Sequence, residues 1–316
     1  MGGEYFGGAC VVAAVALALT LPSGAAAKGE LGIFIHYGPS SLVGTTDGAT
    51  WIRSVWAPAY LDTVAQFHAN AEAAAEWVSF AKRVGATYIT FTAKHHDGYA
   101  LWHTDVSIDR AAGSGRQAWE VSADDDVLGA LAPACRAAGL KLYVYYSLID
   151  WYSHSYRVAD STRYVPLMEA QLRELLSRYG PIAGVWLDGL WDRPLLFWHL
   201  DELKAEIRGL QPSALIAVNR HPAGIGPGED FEIYESAFPA ARSTTPQEVA
   251  FPVGEWWFYS SGDVPKSHAE MRAMIVRARA TGSNILVAVP PRPDGSIDPV
   301  YAAAILGPPR GRMHPA

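Results

Sequence analysis

The chain has 316 residues, half of them hydrophobic, and a formal net charge of −7 with acidic and basic residues mixed along its length. This length supports a full-sized core in one large domain or two small ones. The mixed charge leaves no basic stripe for nucleic acid and no basic amphipathic segment for a membrane surface. The two cysteines, Cys10 and Cys135, are too few for a disulfide framework and lack the spacing of a metal site.

The N-terminal region has the pattern of a secretory leader. Residues 9–28 form an apolar run followed by small residues, with three alanines directly before Lys28. This pattern predicts a signal peptide over residues 1–27 and a secreted, extracellular or periplasmic protein. Residues 1–8 lack the usual positive charge and include Glu4, so a buried N-terminal helix is the alternative. No later segment has the roughly 18 consecutive apolar residues of a membrane span, and we expect no membrane insertion after the leader is removed.

Strand and helix patterns alternate after the leader. Short runs rich in β-branched and aromatic residues read as buried parallel strands at 31–37, 86–93, 141–147, 183–189, 214–219, 231–236, 255–259 and 284–290. Helical spacing is clearest after Asn70, a predicted N-cap, over 163–179 and before Gly282. Between residues 219 and 231, proline and glycine leave no room for a helix.

Eight strands separated by helices over about 280 residues predict an α/β fold of the (β/α)8 TIM-like barrel type. We assign residues 28–307 to this barrel, expect distortion around strands five and six, and predict a flexible tail at 308–316. An open doubly wound sheet is the competing topology. It would prefer a glycine-rich phosphate-binding turn after the first strand, where this chain has HYGPSS.

Barrels of this type carry their chemistry at the C-terminal ends of the strands. The predicted strand ends offer His36, His95, His96, Tyr145, Tyr146, Trp186, Asp188, Asn219, Arg220, Glu232, Glu235, Trp256 and Trp257. Sugar hydrolysis requires two carboxyl groups that flank the scissile bond, together with aromatic and hydrogen-bonding side chains around the sugar. Each residue alone is also common as a structural residue, so the prediction depends on their coincidence at one end of a barrel.

Six segments, in chain order, resemble the α-L-fucosidases of glycoside hydrolase family 29. They are GIFIHYG, TYITFTAKHHDGYALWHTDVS, VYYSLIDW, GPIAGVWLDGLW, the pair NR at 219–220 followed by EDFEIYE, and SNILVAVPPRPDGSI. The resemblance covers roughly residues 30 to 307. It implies an exo-acting, retaining enzyme that removes terminal α-L-fucose from oligosaccharides or glycoconjugates through a covalent glycosyl-aspartate, without a cofactor or metal.

The resemblance also implies roles for single residues. By position, Asp188 matches the nucleophile and Glu235 the general acid/base, with Glu232 as a competitor for the second role. The residues implied to bind the sugar are His36, Trp51, His95, His96, Tyr145, Trp186, Arg220 and Trp257. Consecutive strand residues point to opposite faces, so His95 and His96 can meet one sugar only if the chain bends there.

Departures from the family pattern leave two other functions open. Thr50 stands before Trp51 where the family commonly has glutamate, and we expect no β-sandwich of the kind that many members carry after the barrel. A catalytically silent fucose-binding barrel would fit these departures. A metal-dependent hydrolase is the other alternative, because histidine and aspartate at strand ends also bind zinc.

Overall fold

Eight parallel strands form one nearly closed barrel in a computed structural model that describes residues 29–44, 58–106, 126–220 and 222–307. The strands are β1 (Leu31–Ile35), β2 (Tyr88–Lys94), β3 (Lys141–Ser147), β4 (Gly184–Asp188), β5 (Leu215–Val218), β6 (Glu232–Glu235), β7 (Gln247–Pro252) and β8 (Asn284–Ala288). Strand β1 pairs with both β2 and β8, so the sheet curls around on itself. The predicted TIM-like barrel is confirmed. The predicted leader and tail, with Thr50 and Trp51, lie outside the described residues.

The barrel has one seam, which separates β5 from β6. The sheet order runs β5-β4-β3-β2-β1-β8-β7-β6, and no β5–β6 ladder is present among the described residues. Asp230 bridges the seam: its backbone N–H donates to the Ile216 carbonyl at 2.7 Å, and its carboxylate accepts from the Ile216 N–H at 2.6 Å. The expected distortion around strands five and six is therefore confirmed, at the place where no helix separates the two strands.

Helices follow most of the strands. They are α1 (Ser40–Val43), α2 (Pro58–Gln66), α3 (Ala73–Arg83), α4 (Val127–Ala138), α5 (His154–Arg157), α6 (Ser161–Arg178), α7 (Leu200–Leu210), α8 (His268–Ala280) and α9 (Pro299–Leu306). Helix α3 begins later than the predicted cap, because Asn70 Oδ1 accepts from the Glu72 N–H and closes a preceding turn instead. Its buried Trp77 donates to the Gly295 carbonyl at 2.7 Å, tying the helix to the loop after β8.

The prediction for the seventh strand was wrong. Strand β7 is Gln247–Pro252, whereas residues 255–259 lie in the loop that follows it. The strand begins with two polar residues, Gln247 and Glu248, and therefore lacks the apolar pattern that predicts a buried strand. Glu248 is nevertheless buried, and it accepts hydrogen bonds from Tyr88 Oη at 2.7 Å and Trp186 Nε1 at 3.0 Å. The aromatic residues at 255–259 therefore lie at the C-terminal mouth of the barrel and not in the sheet.

Large side chains fill the barrel interior below that mouth. Phe34, Tyr88, Tyr143, Tyr145, Trp186, Phe231, Ile233 and Leu286 belong to this inner cluster. A larger apolar cluster lies between the sheet and the helices, as expected for strands that are buried on both faces. Three of these side chains, Phe34, Tyr145 and Trp186, also line the cavity at the mouth.

Candidate active site

A cavity of about 270 Å³ opens at the C-terminal ends of the strands. Its lining consists of Phe34, His36, His95, His96, Tyr145, Trp151, Trp186, Asp188, Trp191, Glu235, Trp256, Trp257 and Phe258. Aromatic rings and imidazoles thus surround two carboxyl groups that come from different strands. This is the composition of a site that binds one sugar ring, with apolar surfaces for the ring and polar groups for its hydroxyls.

Asp188 is the last residue of β4 and is held by three hydrogen bonds. Its Oδ2 accepts from Tyr145 Oη at 2.7 Å, and its Oδ1 accepts from the Gly189 N–H at 2.8 Å and from Asn219 Nδ2 at 3.1 Å. Gly189 has a φ of 89°, a left-handed conformation that favours glycine and lets its N–H turn back to the carboxylate. The carboxylate is therefore fixed at the cavity wall.

Glu235 is the last residue of β6 and shares a donor with Asp188. Asn219 Nδ2, which is 3.1 Å from Asp188 Oδ1, also donates to Glu235 Oε2 at 2.5 Å. The two carboxylate oxygens can therefore be separated by no more than the sum of these distances, about 5.6 Å. Retaining glycosidases hold their two carboxyl groups about 5–5.5 Å apart, whereas inverting enzymes need more room for a water.

Alternation along β6 distinguishes the two candidate glutamates. Ile233 packs in the barrel interior, and Glu235, two residues later, shares its face and reaches the cavity. Glu232 has the opposite orientation, and its Oε2 accepts from Gln247 Nε2 at 3.3 Å. Glu232 is absent from the cavity lining.

Burial makes both carboxyl groups harder to ionise. It raises the pKa of Glu235 to about 7, with a further contribution from the neighbouring Asp188 charge, and the Asn219 hydrogen bond opposes this only in part. Burial also raises the pKa of Asp188, but here the donors on Tyr145, Gly189 and Asn219 all favour the ionised form. The environment thus supplies more support for charge at Asp188 than at Glu235.

The predicted bend at the paired histidines is present. Strand β2 ends at Lys94, and the Gly98 N–H donates to the His95 carbonyl at 3.0 Å to close a turn. The two rings consequently lie on the same side, with centroids 4.3 Å apart, and both line the cavity. His95 stacks on Tyr145 with an interplanar angle of 9°, and His96 Nδ1 lies 2.7 Å from Ser147 Oγ.

Burial lowers the pKa of both His36 and His95 well below its usual value. Each ring is therefore neutral at pH 7 and offers one donor and one acceptor. The Nδ1 atoms of both residues are buried and have no hydrogen-bond partner within the described part of the chain. Neutral imidazoles of this kind suit the hydroxyl groups of a bound sugar.

The structure brings most of the predicted site residues together. Those that line the cavity are His36, His95, His96, Tyr145, Trp186, Asp188, Glu235 and Trp257. Arg220 does not: its guanidinium pairs with Glu229 and faces an adjoining hollow. Trp51 lies outside the described residues.

Sequence reasoning missed several residues at the site. Trp151 and Trp191 follow β3 and β4 in the segments LIDW and WLDGLW, and their rings lie 5.3 Å and 5.8 Å from that of His96. Their nearness along the chain to strand-end residues was the available signal. Asn219 was visible as a strand end, but nothing in the sequence showed that its amide would join the two acids.

The described residues contain no group of three histidine, cysteine, aspartate or glutamate side chains placed to hold a metal ion. No helix within the described ranges has the length and apolar character needed to cross a membrane. The arrangement present is instead two carboxyl groups, joined by one amide, in an aromatic cavity with neutral histidines.

Comparison with known families agrees with this geometry. The α-L-fucosidase family model matches residues 26–307. The chain belongs to the α-L-fucosidase family. The resemblance drawn from the six sequence segments is thereby confirmed.

Individual fucosidases are similar over most of this chain. Alpha-L-fucosidase 1 of Arabidopsis thaliana is 26% identical over 311 residues, covering 88% of this chain and 58% of the plant protein. Tissue alpha-L-fucosidase of Homo sapiens is 23% identical, covering 88% of this chain and 65% of the human protein. The chain therefore spans between about half and two thirds of the length of these curated relatives.

Solved fucosidases share the fold. A family 29 α-L-fucosidase from Bacteroides thetaiotaomicron has a TM-score of 0.73 and 25% identity, covering 88% of this chain and 70% of that one. The α-L-fucosidase of Lactobacillus casei in complex with α-L-fucose has a TM-score of 0.70 and 25% identity, covering 88% of this chain and 93% of that one.

Proposed function

We propose that this fucosidase-family barrel is a retaining exo-α-L-fucosidase that hydrolyses terminal α-L-fucosyl residues of oligosaccharides or glycoconjugates. The observation that carries the proposal is the pair Asp188 and Glu235, whose oxygens are bridged by one amide and separated by no more than about 5.6 Å. The Lactobacillus casei enzyme, solved with 4-nitrophenyl-α-L-fucopyranoside as well as with fucose, supports the substrate class.

In the first step, a carboxylate oxygen of Asp188 attacks the anomeric carbon while Glu235 gives its proton to the glycosidic oxygen. The bond to the leaving alcohol breaks and a glycosyl-aspartate ester forms. In the second step, Glu235, now ionised, takes a proton from water, and the water oxygen attacks the same carbon. Asp188 leaves as a carboxylate, and fucose departs with its original anomeric configuration.

The surrounding groups prepare these steps. Tyr145 and the Gly189 N–H favour the ionised form of the Asp188 carboxylate against the effect of burial and fix its direction, which reduces reorganisation during attack. The raised pKa of Glu235 keeps its proton available at neutral pH. The neutral rings of His36 and His95 would bind sugar hydroxyls, and Trp257 would cover an apolar face of the ring.

Hydrolysis of 4-nitrophenyl α-L-fucoside by the wild-type chain and by Asp188→Asn tests this function. We expect the substitution to lower kcat by on the order of 10⁴-fold or more, as expected when a covalent catalytic residue is removed. Fucose binding should persist in the variant and can be measured by calorimetry. A wild-type chain that binds fucose without turning over any α-L-fucoside would instead be a binding protein.

We also propose that the protein is secreted after removal of residues 1–27. The apolar run and the three alanines before Lys28 support this. N-terminal sequencing of the protein recovered from the medium or periplasm should begin near Lys28. A mature protein that retains Met1 or its neighbours would contradict the proposal.

A further inference from the structure

Lys94 is a buried cation next to the paired histidines. It ends β2, and the pairing register of β2 with β3 shifts between Thr92 and Lys94, an irregularity of the kind that redirects side chains beside active sites. Its ammonium lies over the Tyr146 ring, 4.6 Å from the ring centre. The side chain has no exposed surface and is absent from the cavity lining, whereas the next residue, His95, lines the cavity. Any role of Lys94 in the reaction must therefore be indirect.

The ammonium keeps its charge despite this burial. Burial lowers the pKa of Lys94 to about 8, and the buried carboxylates of Asp150 and Asp97 act in the opposite direction. A group with a pKa of about 8 is mainly protonated at pH 7. Lys94 is therefore a hydrogen-bond donor with three protons and no lone pair.

The ammonium begins a short chain of hydrogen-bonding groups that ends at His96. Lys94 Nζ donates to the Ile149 carbonyl at 2.8 Å. The Ser147 hydroxyl lies 3.0 Å from the same carbonyl and 2.7 Å from His96 Nδ1. A serine hydroxyl has one proton, so it can donate either to the carbonyl or to the imidazole. The direction of the Ser147 hydroxyl therefore determines which nitrogen of a neutral His96 ring carries the proton.

The two directions differ in what faces Asp188, whose Oδ2 lies 3.7 Å from His96 Nε2. When Ser147 donates to the carbonyl, the His96 proton is on Nδ1, and a lone pair on Nε2 faces the carboxylate. When Ser147 donates to His96, the proton is on Nε2, and an N–H faces the carboxylate. The second arrangement is electrostatically favourable, because the positive end of the N–H dipole points at the negative charge.

Lys94 favours the same arrangement from the other end of the chain. A buried carbonyl without a donor is costly, and Lys94 already supplies a donor to the Ile149 carbonyl. The Ser147 proton is thereby available to His96 Nδ1, while the Ser147 oxygen accepts from the Ile149 N–H at 3.0 Å. Each group of the chain then has a partner.

We propose that Lys94 is a positioning residue that keeps the proton of a neutral His96 on Nε2, acting through the Ile149 carbonyl and the Ser147 hydroxyl. The Nε2–H then faces Asp188 and is available as a donor to a sugar hydroxyl oxygen. The inference rests on the proposed fucosidase function for the role of Asp188 as nucleophile, whereas the position of the proton does not depend on that function.

Nitrogen-15 NMR of the histidine-labelled protein measures the position of this proton, since protonated and unprotonated imidazole nitrogens resonate in separate ranges. The His96 signals are assigned by their loss in His96→Gln. At pH 7 the wild-type chain should show a proton on Nε2 and none on Nδ1. Protonation of Nδ1, in the other tautomer or in the imidazolium, would overturn the proposal.

Lys94→Met removes the ammonium and keeps the length of the side chain. The Ser147 hydroxyl should then turn to the Ile149 carbonyl, and the His96 proton should move to Nδ1. The Kd for fucose, measured by calorimetry, should rise about tenfold, the order expected for one lost hydrogen bond. Because Kd does not depend on the folded fraction, a merely structural lysine would leave it unchanged. Wild-type values of both quantities would overturn the proposal.

Ser147→Ala keeps the proposal testable if Lys94→Met does not fold. It removes one hydroxyl group and leaves Lys94 and its carbonyl acceptor in place. Since His96 Nδ1 loses its donor, the two tautomers should become mixed, and the Kd for fucose should rise. A proton that stays entirely on Nε2, with an unchanged Kd, would show that the chain from Lys94 does not hold it there.

Lys141→Met is the matched control, because Lys141 begins β3 at the opposite end of the barrel and pairs with Glu30 at 2.9 Å. The His96 proton and the Kd for fucose should keep their wild-type values. An equal change in this variant would show that the loss of any lysine from the sheet disturbs the site, and would overturn the proposal. Failure of the wild-type chain to hydrolyse any α-L-fucoside would overturn the fucosidase function alone, since the NMR measurement requires no turnover.

Discussion

At the scale of single residues, Asn219 is the point where the two carboxyl groups are coupled. Its amide donates to both acids, and Asp188 also accepts from Tyr145 and Gly189, whereas Glu235 has no other side-chain donor among the described residues. Opposed environments of this kind separate the ionisation of two neighbouring carboxyl groups, which is how one becomes a nucleophile and the other an acid. We expect the first proton to leave from Asp188.

The acid/base role of Glu235 can be tested by its dependence on the leaving group. Glu235→Ala should lower kcat/KM for an unactivated fucoside by about 10²–10⁴-fold and affect an activated one much less, because only the former needs a proton. Azide should restore turnover and yield a fucosyl azide. The same assay on Glu232→Ala, whose carboxylate faces Gln247 outside the cavity, should show no such rescue; rescue there alone would reassign the acid.

The pH dependence follows from the direction of the two pKa shifts. Glu235 must be protonated and its pKa is raised to about 7, so kcat/KM should fall as pH rises through about 7. Asp188 must be ionised and its pKa is also raised, so the acidic limb should lie above the usual aspartate range. In Glu235→Gln, assayed with α-L-fucosyl fluoride, the alkaline limb should disappear. Persistence of that limb would assign it to another group.

The sequence predicted site residues best where the strands position them. His36, Asp188 and Glu235 lie at or directly after strand ends, so their placement follows from the topology of the barrel. Arg220 also follows a strand, but its direction is decided by the buried Glu229, a contact within a loop that no periodicity encodes. Trp151 and Trp191 were missed for the same reason, because their positions depend on loop conformation.

At the scale of elements, the seventh strand and the seam show how tertiary contacts override local pattern. Gln247 and Glu248 look like loop residues, yet they begin a strand because Glu248 has buried partners in Tyr88 and Trp186. The apolar run at 255–259 has the pattern of a strand, but three of its residues, Trp256, Trp257 and Phe258, line the cavity. The seam, in contrast, was predictable, since proline and glycine between residues 219 and 231 exclude the helix that a regular β5–β6 connection contains.

The seam makes Asp230 important for stability. Asp230→Ala should lower the free energy of unfolding by about 1–3 kcal/mol, because the Ile216 N–H and the Arg208 guanidinium both lose their acceptor. The Ile216 amide should also exchange its hydrogen faster. Asp201→Ala is the control: Asp201 is 88% exposed, and its partner Lys204 keeps the Pro227 carbonyl as an acceptor, so little change is expected. Equal effects in the two variants would show that the bridge does not hold the seam.

Buried Glu248 gives the barrel interior a pH-dependent stability. Burial raises the pKa of Glu248 to about 7 in the folded chain, above its value in the unfolded chain. The contribution of the protonated Glu248 to the free energy of unfolding is therefore fully present below the unfolded pKa and is lost as pH rises through about 7. Glu248→Gln imitates the protonated form. Between pH 5 and pH 8, its free energy of unfolding relative to wild type should rise by on the order of 2 kcal/mol. A difference that stays constant in denaturant titrations at both pH values would contradict this.

At the scale of the whole molecule, a closed order of strands brings distant parts of the chain to one mouth. Residues from β1 to the loop after β7 meet around one cavity. The described barrel thus contains both carboxyl groups of the proposed reaction, although the chain spans only part of the length of its curated relatives.

The central claim is that Asp188 forms a covalent bond to the sugar, and trapping that bond tests it most directly. A 2-deoxy-2-fluoro-α-L-fucosyl fluoride should inactivate the protein, because the fluorine slows the second step more than the first. Peptide mass spectrometry should then show one added 2-fluorofucosyl group, attached at Asp188. A label on another residue, or turnover that gives the inverted sugar with no trapped ester, would contradict the account.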